Sequence, residues 1–331
     1  MLKVLFIGGT GIISSACSEL ALERGLDLYL LNRGQSFRPT PAGAKVLHGD
    51  IRDPESARAA LGDLQFDAVV NWIAFTPEHI ETDLALFNGR TRQYIFISSA
   101  SAYQTPPVQL PITESTPLHN PYWAYSRAKI ACEERLMQAY RQDGFPMTVV
   151  RPSHTYDKTL LPMDGGYTIV NRMRQGKKVI VHGDGTSLWT LTHHRDFAKA
   201  FVGLLGNNHA LGETFHITGD ELLTWNQIFE LVAQAAGVQA NLIHIPSDFI
   251  ARFEPDWGAG LLGDKMHSMI FDNSKIKRAV PDFVAAIPFA QGVREIMAWY
   301  DADPARQIVH AEFDRRIDAI IQAYEGLDTR D

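Results

Sequence analysis

Residues 2–25 constrain the fold more tightly than any other stretch of the chain. Leu2 to Ile7 is an apolar run with β-branched members that stops at Gly8-Gly9-Thr10-Gly11-Ile12-Ile13-Ser14, and a helical pattern follows as far as Arg24-Gly25. Strand, glycine turn and helix in that order make a cradle for a diphosphate. Gly8 permits the tight turn, and Gly11 lets backbone N–H groups come close to a pyrophosphate. The helix opening at Ile12 and Ile13 turns its positive end toward the same charge. Ser14 stands where a third glycine often allows close helix-to-strand packing, and serine is small enough to keep it.

Short apolar runs recur at Leu28–Leu31, Val46–Leu47, Ala68–Ile73, Tyr94–Ser99 and Met147–Val150, with a helical stretch from about Pro77 to Phe87. This alternation predicts an α/β chain with a doubly wound parallel sheet of Rossmann type, whose ligands lie beyond the carboxyl ends of the strands. The second strand ends in Asn32-Arg33-Gly34, where such a sheet reads the adenosine ribose. An acidic residue there would bind a free 2′-hydroxyl. Arg33 instead offers a bidentate phosphate donor, with Arg38 as a helper, so NADP is favoured as cofactor. Arg33 as an ordinary solvated loop cation leaves NAD open. Asp50 and Ile51, after the third strand, are placed to touch the adenine, and Asn71 to Ala74 should line the cleft.

The stretch from Asn120 to Asp143 predicts a helix, with Asn120 as N-cap, Pro121 at its first position and Asp143-Gly144 as its stop. Tyr125 and Lys129 lie four residues apart on it, so an ammonium and a phenol share one face. A free tyrosine has a pKa of about 10, and bringing it to neutrality takes roughly 4 kcal/mol of preferential stabilisation of the phenolate. Lys129 together with a cationic nicotinamide ring is the expected source. An isolated pair of this kind equally fits a half-buried tyrosine beside a solvated lysine, so the surrounding chain has to decide. Ser98, Ser99 and Ser101 leave the fifth strand just before this helix. Each is a candidate hydroxyl for a substrate oxygen, and Ser99 is favoured over the turn-capping role common for such serines.

At 331 residues and 45% hydrophobic content the chain can build two domains, or one α/β domain with an appended lobe. A formal net charge of -7 with no block of like charges disfavours nonspecific nucleic-acid or anionic-membrane binding. No segment approaches the ~18 apolar residues of a membrane span, and the opening MLKVLFIGG carries no cleavage-site pattern, so a cytoplasmic location is expected. Cys17 and Cys132 fall on predicted helices without metal spacing and read as small buried hydrophobes. His193 and His194 are adjacent and cannot share one metal from a strand, so no metal site is expected.

The ordered runs GGTGIIS, HGDIRD, VVNWIA, YIFISSASAY, YSRAK and VVRPSHTY resemble the extended or atypical short-chain dehydrogenase/reductase family, the NAD(P)-dependent epimerase/dehydratase group, over residues 1 to about 220. The resemblance implies a Rossmann domain of residues 1–158 plus about 190–220, and a smaller C-terminal α/β substrate lobe of 159–189 plus about 221–331. It also implies a Ser-Tyr-Lys site at Ser99, Tyr125 and Lys129, and a homodimer packed through the helix of Tyr125 and the 77–87 helix. Three departures refine it. Ser99-Ala100-Ser101 replaces the Thr-Asp-Glu run of nucleotide-sugar dehydratases, which disfavours a 4,6-dehydratase. Trp189 stands where epimerases place a diphosphate-binding arginine, and an indole can stack on a sugar but cannot replace that donor. The GGT opening without the last glycine resembles an atypical subgroup that includes sugar enzymes and plastid RNA-binding proteins.

The expected function is therefore an NAD(P)-dependent oxidoreductase or epimerase acting on a secondary alcohol or ketone of a sugar-like substrate. The alternative is a non-catalytic RNA- or protein-binding module on the same fold. Substrate contacts are expected from Ser101, Tyr103, Arg172 and Trp189, with Arg172 on the polar face of a helix from Tyr167 to Arg174. Further along, strands are expected at Val179–Val181, Phe215–Ile217, Leu242–Ile245 and Ile270–Asp272, with Phe215–Ile217 returning to the large sheet. Asp196 and Ser274 are expected to cap helices, Gly258–Gly263 to form a loop on the substrate side, and the helices near 289–300 and 304–324 to pack on the outside.

Overall fold

The computed structural model describes residues 1–327. Its first half alternates β1 (Lys3–Ile7), α1 (Ile12–Glu23), β2 (Asp27–Asn32), β3 (Lys45–His48), α2 (Pro54–Leu61), β4 (Ala68–Asn71), α3 (Pro77–Phe87), β5 (Tyr94–Ile97), α4 (Ala124–Asp143) and β6 (Met147–Pro152). The second half runs through β7 (His154–Tyr156), α5 (Tyr167–Arg174), β8 (Lys178–His182), β9 (Leu188–Trp189), β10 (Leu191–His193), α6 (His194–Leu204) and β11 (Thr214–Ile217). It continues with β12 (Leu223–Thr224), α7 (Trp225–Ala235), β13 (Asn241–Ile245), α8 (Ser247–Phe253) and α9 (Pro255–Gly260). A π-helical turn at Leu261–Lys265, α10 (Ser274–Ala279), α11 (Phe289–Asp301) and α12 (Ala311–Glu325) complete it.

Seven strands form one parallel sheet in the order β11-β6-β5-β4-β1-β2-β3. The order reverses beside β1, where β4 and β2 flank it, and this switch opens a crevice at the carboxyl ends of the strands. Ile7 pairs with both Leu31 and Asn71, so β1, β2 and β4 end level with one another at the crevice floor. Both faces of the sheet are covered, which is why its central strands read as near-continuous apolar runs. Val4 and Phe6 face α1 and α6 with Cys17, Phe197 and Phe201, while Leu5 and Ile7 face α2, α3 and α4 with Leu61, Ile80 and Leu136. Cys17 and Cys132 are free thiols buried in these two layers. Thr214–Ile217 returns from the second half as the edge strand beside β6, as its apolar pattern predicts.

A separate core gathers the second half. The parallel pair β8–β13 packs with α5, α7 and α11 around Trp225, Ile228, Ile296 and Met297. Ile317 and Ile320 of α12 lie in the same core, so the last helices supply buried surface instead of only an outer layer. No helix among the described residues is long and apolar enough to cross a membrane.

Several local expectations are corrected. α4 begins at Ala124, not Asn120: the Asn120 Oδ1 accepts from the amides of Tyr122 (3.2 Å) and Trp123 (3.0 Å), and so caps the turn before the helix. His193, not Asp196, caps α6, its Nδ1 accepting from the Arg195 amide, while Asp196 bonds Lys199 and the Ile287 amide. Asn273 occupies the cap position of α10, with Ser274 its first residue. Ile270–Asp272 makes a single bridge, Phe271 to Ile112, and no strand. Gly258–Gly263 is helical, shared between α9 and the π turn, because Gly258 packs against Ala251 with no room for a side chain.

Arg172 is also corrected. Its side chain turns away from solvent, 1% exposed, and donates to Asp314 (2.5 Å), Asp318 (2.7 Å) and the Lys178 carbonyl, clamping α5 to α12. Arg172→Ala should therefore destabilise the fold by about 3 kcal/mol, as expected for removing one partner of a buried ion pair. Urea unfolding checks this; a variant as stable as the parent would show that the clamp contributes nothing.

Candidate active site

The glycine turn is built for close approach. Gly8 and Gly9 sit at φ +101° and +99°, a region that L side chains rarely adopt, and a Cβ on Gly9 would lie 2.7 Å from Leu30. Ser18 locks the turn by donating to the Gly9 carbonyl at 2.8 Å. Ser14 is buried as expected, and its hydroxyl accepts the Gly11 amide at 2.7 Å. Gly11 is thus engaged internally, and the first-turn amides of Ile12 and Ile13 are the donors that helix geometry leaves for an anion. These features fit a dinucleotide diphosphate.

Beyond Gly8 a cavity of about 490 Å³ runs along the ends of β1, β2 and β4, lined by Asn32, Arg33, Asp50, Ile51, Ile73 and Phe75 among others. Arg33 stands on its rim, 61% exposed, with its guanidinium 3.8 Å from the Asp50 carboxylate. Arg38 is not the expected helper: it donates to Asp157 and Thr159, bridging the β2–β3 connection to the segment after β7. Asn71 is not a direct contact either. It is fully buried, donates to Asp83 and accepts the Ile73 amide, and so shapes the turn through Ala74 from beneath. Asn32 holds the Gly34 amide and Asp50 the Arg52 amide.

Ser99, Tyr125 and Lys129 converge at the same crevice. Ser99 leaves β5 and caps a short 3-10 turn, its hydroxyl 2.9 Å from that of Ser101, which in turn accepts from Ser126 at 2.8 Å. A hydrogen bond from Ser99 favours the Tyr125 phenolate, yet the phenol is more basic than usual because burial dominates and the nearby Asp264 carboxylate adds to it. Lys129 does not supply the expected lowering. It is buried and donates to the Ala74 and Ile97 carbonyls, each at 2.7 Å, with its ammonium 5.7 Å from the Tyr125 ring centre. Burial brings its own pKa down to about 8.

Next to this trio lies a second cavity of about 280 Å³. Ser101 and Trp189 line it, with Trp123, Met269 and Phe271 as further apolar wall. The Trp189 indole donates to His154 at 3.4 Å, and burial holds that imidazole neutral with a pKa of about 3. Tyr103 is not at the cavity: it is fully buried, its hydroxyl bonded to His216 at 3.0 Å, and burial raises its pKa. Asp264 and Lys265, on the π turn, were not among the expected site residues, although Asp264 lines the cavity beside Tyr125. Their sequence signal was hidden in a stretch whose glycines suggest a loop.

Sheet, switch point and paired cavities define a Rossmann-type α/β protein with a capping lobe. The NAD dependent epimerase/dehydratase family model matches residues 4–218, and the chain belongs to that family. It is 28% identical over 264 residues to the chloroplast stem-loop binding protein of 41 kDa b of Arabidopsis thaliana, covering 75% of this chain and 67% of that one. It is 24% identical over 288 residues to 2'-dehydrokanamycin reductase of Streptomyces kanamyceticus, covering 85% and 80%. Among solved structures, UDP-glucose 4-epimerase from Bifidobacterium longum, in complex with NAD+ and UDP, superposes with a TM-score of 0.73 at 19% identity, covering 91% and 99%.

Proposed function

We propose that the protein is an NADP-dependent reductase of a ketone on a sugar-like substrate, with Tyr125 as proton donor. The observation that carries this reading is the convergence of Ser99, Tyr125 and Lys129 between the two cavities. Within the family, reductases and epimerases share such chemistry. Reduction starts from the protonated phenol, the form that burial favours at Tyr125, whereas alcohol oxidation starts from the phenolate. The relative named as a reductase, matched over 85% of this chain, supports the same direction.

The first-turn amides at Ile12 and Ile13 would hold the diphosphate of the dinucleotide, and Arg33 the 2′-phosphate of its ribose. Lys129 would hold the ribose next to the nicotinamide, its position fixed by two backbone carbonyls. The bound nicotinamide supplies the hydride. Ser99 orients the carbonyl oxygen by hydrogen bonding, Tyr125 protonates it, and the Ser99–Ser101–Ser126 hydroxyl chain holds Ser99 in place. Trp123, Trp189 and Phe271 shield the reacting carbon from water.

A second reading, a module that binds RNA, is favoured by the stem-loop binding relative. The net charge of -7 weighs against it, since phosphate backbones need basic faces. Fluorescence titration with NADPH and with a stem-loop RNA separates the two; RNA binding without any response to NADPH would favour the second.

Tyr125→Phe should lower ketone reduction by about 10³-fold while NADPH binding stays within twofold of the parent. Retention of a tenth of the activity would remove Tyr125 from the role of proton donor. Arg33→Ala should weaken NADPH binding roughly tenfold or more and leave NADH binding unchanged. Equal effects on both dinucleotides would show that Arg33 does not read the 2′-phosphate.

A further inference from the structure

The π turn at Leu261–Lys265 presents a carboxylate to the 280 Å³ cavity that the reduction chemistry does not use. π turns are rare and frequently lie at functional sites. The turn is held from three sides. Asn120 donates to the Gly263 carbonyl at 2.6 Å, and the Lys265 carbonyl accepts from His182 and from the Trp225 indole, each at 3.0 Å. Asp264 itself makes no hydrogen bond or ion pair with any described residue. Its charged neighbours are few: Lys265 follows it in the chain with its ammonium over the Trp123 ring at 5.5 Å from the centroid, Tyr125 faces it from α4, and His154 across the cavity is neutral. Burial raises the Asp264 pKa to about 6, with Lys265 pulling modestly the other way, so near pH 7 it is an anion without a partner.

An unpaired anion in an aromatic cavity is costly unless a ligand completes it. Here it also works against the neighbouring tyrosine, because its charge disfavours a phenolate on Tyr125. A cation bound at Asp264 removes both penalties at once. The walls suit such a cation, since Trp189 and Phe271 line the cavity with Asp264, while the Trp123 ring is taken by the Lys265 ammonium. They do not suit a nucleoside diphosphate, for Trp189 fills the place of the phosphate-binding arginine and the carboxylate would repel a phosphate.

We propose that Asp264 is a specificity residue that pairs with the protonated amine of an amino sugar. The proposal deepens the reductase reading and rests on it for the identity of the cavity. A substrate ammonium anchors the sugar and, by neutralising Asp264, eases the loss of the Tyr125 proton to the carbonyl oxygen. A neutral sugar leaves the anion uncompensated and gains neither effect.

The test uses the NADP+-bound protein with methyl glucosaminide and methyl glucoside, which differ only in an amine for a hydroxyl, and reads binding by tryptophan fluorescence and calorimetry. At pH 7 the amino sugar should bind at least tenfold more tightly. The preference should vanish at pH 5, where the amine keeps its proton and Asp264 gains one, and it should vanish at pH 7 in Asp264→Asn. In the same variant the phenol of Tyr125, followed by ultraviolet titration against Tyr125→Phe/Asp264→Asn, should ionise at lower pH than in the parent. Equal binding of the two sugars, equal weakening of both in the variant, tighter binding of UDP-glucose than of methyl glucosaminide, or no sugar binding at all would each overturn the proposal. A reductase active on neutral ketones with no amine preference would sink this inference alone. Amine preference in a protein that reduces no ketone would sink the reductase reading and leave the amine site.

Discussion

The ammonium of Lys129 is the contact on which the arrangement of the crevice depends. It lies buried between the Ala74 and Ile97 carbonyls, at the ends of β4 and β5, and beside the rings of Phe75 and Phe96. A lone ammonium in such surroundings would be lost to deprotonation or pushed out to water. Two carbonyl acceptors and two ring faces keep it in place and so fix the height of α4 against the sheet. One turn earlier on the same face, Tyr125 then comes to rest over the crevice. One turn later, Glu133 is tied to Arg151 at 2.9 Å and to the Ser98 hydroxyl. The stripe Tyr125, Lys129, Glu133 is thus a polar seam with fixed register along an otherwise apolar contact. A slip of α4 by one turn would leave a buried charge unpaired at each step.

The opposite wall of the crevice is held by a different device. Asp83 of α3 accepts from Asn71 at 2.6 Å and from the Tyr94 hydroxyl, and burial raises its pKa to about 7. Asn71 carries this constraint to the Ile73 amide, and Arg52 donates to the Ile73 carbonyl. The turn from Asn71 to Ala74 is therefore fastened above and below, and its Ala74 carbonyl is the one that receives Lys129. The two networks meet at that atom. The cavity beyond Gly8 is lined by this turn at Ile73, and the helix that carries Tyr125 is docked on the same turn through Lys129.

Much of this was legible in the sequence. Apolar runs marked the sheet strands, including the returning edge strand around Phe215 and Ile217, because a sheet covered on both faces is built mainly of apolar residues. The Tyr125–Lys129 spacing fixed their common face, and the serines beyond β5 lie beside that helix, where Ser126 donates to the Ser101 hydroxyl. Polar residues were read less well. Arg38, Asn71, Tyr103 and Arg172 all looked available, and all four are engaged by partners distant in the chain: Asp157, Asp83, His216 and Asp314. Periodicity says which face of an element a residue occupies, and it does not say what has been packed against that face.

The acidity of Tyr125 shows the same limit at its most consequential. Local spacing argues that a lysine one turn away should stabilise the phenolate, and the pair is indeed adjacent. Yet the lysine charge is directed at two carbonyls, while the phenol is governed by its burial and by a carboxylate on a π turn from the far half of the chain. Glycines at 258, 260 and 263 suggest a loop there, but in the folded chain Gly258 allows close packing against Ala251 and Gly263 against Trp123 and Asn120, and that packing delivers Asp264 to the cavity. A motif therefore identifies which groups can exchange a proton. How strongly each of them holds that proton is set by burial and by charges that other parts of the chain bring to the cavity.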